Sequence, residues 1–146
     1  MTVEPVEAAT ATTTFQVTAT VNATCLISAT NLAFGAYTGT QTDATSTVTV
    51  TCTNTTPYNV GLNAGTFSGA TVTTRRMTGT DANGLAYSLF QDSARTVNWG
   101  NTVGTDTLAG IGSGAAQALT VYGRVPASQF VAPGSYADTI TATVTF

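Results

Sequence analysis

Residues 15–25 read Phe-Gln-Val-Thr-Ala-Thr-Val-Asn-Ala-Thr-Cys. Apolar and polar residues alternate without a break: Phe15, Val17, Ala19, Val21, Ala23 and Cys25 on one side, Gln16, Thr18, Thr20, Asn22 and Thr24 on the other. A period of two is the geometry of a β-strand, whose successive side chains point to opposite faces. Threonine is β-branched and polar, so a row of it suits the solvated face of a pleated sheet. The pattern returns at Val48, Val50 and Cys52 against Thr47, Thr49 and Thr51. It returns again at the end of the chain, where Ile140, Ala142, Val144 and Phe146 alternate with Thr139, Thr141, Thr143 and Thr145.

Between these stretches, shorter strands are expected at residues 31–34, 58–62, 70–74, 85–91 and 119–125. Turn signals separate them: Gly35, residues 54–57, residues 63–65, Asn83-Gly84, the Gly-rich stretch 104–114 and Pro133-Gly134. Residues 115–118 have the composition of a helical start, but nothing sustains a 3.6-residue period. About seven or eight short strands with frequent turns predict an all-β, immunoglobulin-like sandwich. A length of 146 residues allows one such domain.

The composition excludes most chemistry. Only 8 % of residues are charged, against about 25 % in typical soluble domains. The sequence contains no His and no Lys, and its four cations are Arg75, Arg76, Arg95 and Arg124. Without His or Lys there is no Ser-His-Asp or Cys-His nucleophile and no Schiff base, so no enzymatic activity and no cofactor are expected. Two Cys are too few for the usual closed zinc sites. A net charge of −3 opposes nucleic-acid binding. No apolar run approaches the roughly 18 residues of a membrane span. The first eight residues lack the pattern of a secretory signal, and the expectation is that a signal was removed ahead of this numbering. Cys25 and Cys52 both fall on inward positions; an even count in an exported chain argues for a disulfide, with two buried thiols as the alternative.

Other motifs carry little. Asp81-Ala-Asn83-Gly84 lacks the later Glu of a calcium loop and reads as a turn. Residues 110–114 lack the Lys of a phosphate loop and read as a connector. Asp92, Asp106 and Asp138 have no spacing that pairs them as catalytic carboxylates. Asp92 and Arg95 are placed to pair weakly. Arg75-Arg76 reads as a solvated loop or strand end, with an anion- or partner-binding patch as the alternative, and Trp99 as a core or corner aromatic.

The two ends of the chain belong together. The last strand pattern stops at Phe146, where an immunoglobulin sandwich ordinarily has a further strand. The first pattern follows an Ala/Thr-rich leader with no docking partner. An ordinary first strand within its own domain suits this pattern, and so does a surplus strand that fills the gap in a second copy. In the latter case main-chain hydrogen bonds and alternate side chains join the copies. Such contacts are head-to-tail and build fibres.

The sequence resembles the spore coat protein U domain family, which includes the major pilins of archaic, Csu-type chaperone–usher pili. The resemblance rests on Phe15-x-Val17-x-x-x-Val21-x-x-x-Cys25, Leu32-Ala-Phe34-Gly35-x-Tyr37, Val48-x-Val50-x-Cys52-Thr53 and Pro57-Tyr58. It continues through Arg76-Met77, Leu85-x-Tyr87-x-Leu89-Phe90-x-Asp92, Trp99-Gly100, Tyr122-Gly-Arg124-Val-Pro126 and Gly134-x-Tyr136-x-Asp138-Thr139. The resemblance implies an incomplete sandwich completed by donor-strand exchange. Residues 1–22 would form an extension bearing the donor strand, and residues 23–146 the pilin domain. Phe15, Val17, Ala19 and Val21 would be the inserted side chains, and Ile140, Ala142, Val144 and Phe146 the edge of the acceptor groove. The partners implied are identical subunits, a periplasmic chaperone and an outer-membrane usher. The place implied is an extracellular pilus serving surface attachment and biofilm formation. A discrete carbohydrate- or surface-binding adhesin module and a spore or cell coat protein are the other readings.

Overall fold

A computed structural model describes residues 1–146, and the fold is all-β. Nine strands form in chain order: β1 (Cys25–Ala29), β2 (Thr42–Cys52), β3 (Pro57–Leu62), β4 (Arg76–Met77), β5 (Leu85–Ala86), β6 (Ser88–Phe90), β7 (Leu108–Ile111), β8 (Ala116–Val125) and β9 (Ala142–Thr145). They make one sheet in the order β1-β2-β8-β6, a second in the order β7-β3-β9, and a small β4-β5 ribbon, all antiparallel. No helix is long and apolar enough to cross a membrane.

The period-two pattern sets the core. Val48, Val50 and Cys52 of β2 and Val121 and Val125 of β8 point inward. They meet Tyr58, Val60 and Leu62 of β3, with Leu85, Tyr87, Leu89 and Trp99 filling the remaining space. Burying such side chains stabilises by about 1.5–3 kcal/mol each. Trp99 is fully buried, and its indole N–H donates to Val60 O at 2.8 Å. Of residues 115–118, which resemble a helix start, 116–118 instead begin β8, whose register with β2 extends to Thr51↔Ala116. Gln117 is fixed there by the Tyr58 hydroxyl, which donates to its Oε1 at 2.8 Å. The Gly-rich stretch 104–114, read as a turn, contains β7, paired to β3 through Tyr58↔Gly110.

Arg75 departs from its sequence reading. It is fully buried rather than solvated. Its guanidinium donates to four main-chain carbonyls: Asn63 O and Leu62 O at the end of β3, Val72 O, and Trp99 O. Burial lowers its affinity for the proton, opposed by the nearby Tyr87, Asp106 and Asp138. Arg76, by contrast, is partly exposed and donates to Asn83 O.

Cys25 and Cys52 face each other in the β1–β2 register and form a disulfide. β1 is an edge strand, so the bond anchors the sheet where pairing is one-sided. With a sequence separation of 27, the chain-entropy relation gives roughly 3–4 kcal/mol of stabilisation. Replacing both cysteines by serine is expected to lower unfolding free energy by about that amount, and refolding yield with it. Urea denaturation checks the first, and an unchanged midpoint would show that the bond is dispensable.

Candidate functional site

β1 and β9 lie on opposite sheets and approach each other without pairing. Beyond Ala29, the two sides of this seam part. Residues 30–39 continue from β1 along one side, and residues 129–141 run toward β9 along the other. Between them lies an open groove of about 1270 Å³, floored by Val48, Leu62, Leu85, Tyr87, Leu89 and Val121. Asp138 is the only charged residue that lines it. The groove therefore runs along the hydrophobic core, whose floor side chains are themselves buried.

The walls carry little main-chain pairing, apart from a bridge between Ala137 and Thr78 and the bond from Asn63 N to Thr141 O. Residues 31–38 make no main-chain to main-chain hydrogen bond, and neither do residues 129–136 and 138–140. Residues 31–34, expected as a strand, follow the period of two, with Leu32 and Phe34 half-buried, yet remain unpaired. The side chains of Leu32 and Phe34 lie directly over Gly123 of β8, where a Cβ would have no room. Phe34 also packs against Tyr87, with ring centroids 6.3 Å apart. An unpaired, polar main chain beside an apolar floor is the arrangement an added strand satisfies.

Side chains tie the walls together at the open end. The Tyr37 hydroxyl donates to Pro126 O at 2.6 Å and accepts from Gln129 N at 3.1 Å. The Gln129 carboxamide bonds both main-chain groups of Ala86, accepting from its N–H at 2.8 Å and donating to its carbonyl at 2.9 Å. It thus occupies the place of a neighbouring strand. Phe130 stands at this end 90 % exposed. Sequence reasoning missed this wall, because residues 126–135 have no alternating pattern.

The expected groove edge divides. Ile140 and Ala142 line the groove. Val144 packs against the core opposite Val60, where the seam is closed, and Phe146 is exposed beyond β9. At the other end of the chain, residues 1–24 form no strand and lie exposed. Phe15, Val17 and Val21 are 84 %, 86 % and 86 % exposed, and Ala19 is exposed with them. Water faces the apolar side of a strand pattern along the whole stretch, which costs stability unless another surface covers it.

The remaining polar candidates are structural. Arg95 approaches Asp43 at 3.7 Å and lies over the Tyr122 ring instead of pairing with Asp92. Asp92 caps its own turn, accepting from the Thr96 hydroxyl, Val97 N and Thr96 N, and these bonds, the hydroxyl's foremost, hold its carboxyl below the usual range. Arg124 clasps Asp43 with two hydrogen bonds across β2 and β8. Asp81 accepts from Asn83 N within a turn closed by Gly84, which has a φ of 69°.

Residues 11–143 match the Spore Coat Protein U domain family. Protein U of Myxococcus xanthus is 37 % identical over an alignment covering 97 % of this chain and 88 % of that protein. Among solved structures, the fold is similar to a chain in the crystal structure of the CsuC–CsuE chaperone–tip adhesion subunit pre-assembly complex from the archaic chaperone–usher Csu pili of Acinetobacter baumannii. The TM-score is 0.64 and the identity 26 %, covering 87 % of this chain but only 40 % of that one. With the family match running from the exposed extension to the groove wall and into β9, the chain belongs to the Spore Coat Protein U domain family.

Proposed function

We propose that the chain is a structural subunit of an extracellular, pilus-type fibre, joined to the next copy by insertion of its N-terminal strand. One observation carries this reading: the chain has an apolar groove with unpaired walls and, elsewhere, an exposed extension patterned as the missing strand. The lengths agree. At about 3.3 Å per residue, residues 29–39 and residues 11–21 each span roughly 35 Å. Phe15, Val17, Ala19 and Val21 would face the floor, while Thr18 and Thr20 would continue the outer threonine row of β9.

The direction of insertion follows from the seam. β1 and β9 meet at the Cys25 end, so the donor's own body, only residues 22–24 away from Val21, fits at the open end near Gly39 and Phe130. The donor then runs parallel to residues 29–39 and antiparallel to residues 138–145. Donor and acceptor are different surfaces, so the contact repeats head-to-tail without closing. Before assembly, a periplasmic chaperone would occupy the groove with a strand of its own, and an outer-membrane usher would exchange it. Attachment to surfaces and biofilm formation are the roles such a fibre would serve.

Light scattering and electron microscopy of the full chain and of a variant lacking residues 1–22 test this. The full chain is expected to form filaments of indefinite length, and the shortened chain only short species. A monomer indifferent to the deletion would sink the reading. Compact, finite particles would favour a discrete adhesin module, and flat layers a coat.

A further inference from the structure

The groove wall that leads into β9 has little strand pairing: Ala137 forms an isolated bridge with Thr78, and residues 138–140 have no main-chain partner. Its ladder with β3 ends at Leu62↔Ala142. Beyond that, Asn63 holds Thr141 at both main-chain groups, through Asn63 N to Thr141 O at 3.1 Å and Thr141 N to Asn63 Oδ1 at 2.9 Å. Asp138 then takes over. Its Oδ1 accepts from Thr66 N at 2.8 Å, Thr66 Oγ1 at 2.9 Å and Thr139 N at 2.8 Å, and its Oδ2 accepts from the Tyr87 hydroxyl at 2.5 Å. One carboxylate thus gathers four donors from three separate segments, with no cation bonded to it. Gly65, at a φ of 81°, leaves the space this requires, since a Cβ there would collide with the carboxylate. Burial, reinforced by Asp138, holds the Tyr87 phenol protonated far above its usual range, so it remains a donor.

We propose that Asp138 is a positioning residue for strand uptake: a latch that holds residues 138–141 extended, so that their unpaired edge is already set when a donor arrives. This rests on the reading of the groove as a strand acceptor. A wall without a ladder loses order easily, and fixing one residue's main chain costs about 1–2 kcal/mol. An acceptor ordered beforehand avoids that cost at the moment of binding. These bonds engage Thr139 N and Thr141 N and leave the main chain of Ile140 free.

The test uses the full chain carrying Phe15→Arg, which keeps its groove but cannot donate, and a fluorescent peptide of residues 11–22. Uptake is followed by anisotropy, and site-resolved amide exchange reports on β2, β8 and the wall. Asp138→Ala is expected to slow uptake about tenfold or more, equivalent to about 1.4 kcal/mol. Exchange should quicken at residues 138–141 but not in β2 or β8. Asp138→Asn, which keeps an acceptor, should recover part of the rate. Tyr87→Phe should slow uptake about threefold and add nothing to Asp138→Ala; it carries the same expectation if Asp138→Ala yields no folded chain. Unchanged uptake in the Asp138 and Tyr87 variants, or slower uptake with exchange quickened uniformly through β2 and β8, overturns the latch. Absence of any uptake by the Phe15→Arg chain with Asp138 intact overturns the acceptor reading itself.

Discussion

The Phe15→Arg variant is expected to form no fibres. Under strand exchange, position 15 would face a floor of valine, leucine and tyrosine side chains in a neighbour's groove, and the groove's single charge, Asp138, already accepts four hydrogen bonds. A guanidinium placed there would lose its water without gaining a partner, a penalty of several kcal/mol. The deficit applies to every junction, so it stops growth rather than slowing it. The variant's own groove is untouched, which gives a second, sharper expectation. Added in small amounts to the parent chain, it should accept a donor and end the filament, so that mean length falls as its fraction rises. Filament lengths measured by electron microscopy check both results. Normal fibres from the variant alone would show that Phe15 does not enter the groove.

Truncation of Arg75 to alanine is expected to be the most damaging single change in the domain body. Four carbonyls converge on its guanidinium, with Trp99 O at 2.6 Å the shortest contact. Removing the side chain strands these acceptors inside a cavity, and each unsatisfied buried group costs about 1–3 kcal/mol. A total loss of about 4 kcal/mol or more is expected, enough to unfold many domains of this size. Lysine presents one point charge in place of a planar fork and should recover only part of the stability. Guanidinium denaturation of the two variants beside the parent measures this. A loss under about 1 kcal/mol for Arg75→Ala would mean that the four carbonyls find other donors.

Arg75 also shows where the sequence is silent. Next to Arg76, it has the local look of a solvated pair, and its four carbonyl partners come from positions 62, 63, 72 and 99, which no local pattern connects. Asp138 is hidden for the same reason: its spacing from Asp92 and Asp106 says nothing, whereas its contacts with Thr66 and Tyr87 arise only in the fold. The alternating strands, by contrast, announce themselves. Val48, Val50 and Cys52 are buried as their period demands, and Cys25 meets Cys52 across the β1–β2 ladder. The groove was half legible. The pattern around Leu32 and Phe34 identifies an extended segment with one apolar face, but period alone cannot say which chain pairs with it. Val144 and Phe146 continue the pattern of Ile140 and Ala142 without a break, yet the seam closes between them, a feature of packing between sheets that no single strand encodes.

The most direct measurement is a density map of the assembled material at a resolution that traces the main chain. Strand exchange predicts a continuous strand between residues 31–38 and residues 138–140, bearing Phe15, Val17, Ala19 and Val21 toward Leu62 and Tyr87, and connected at the open end to a different copy. A groove that is empty in the assembly, or filled by the same copy's residues 15–21, would contradict it.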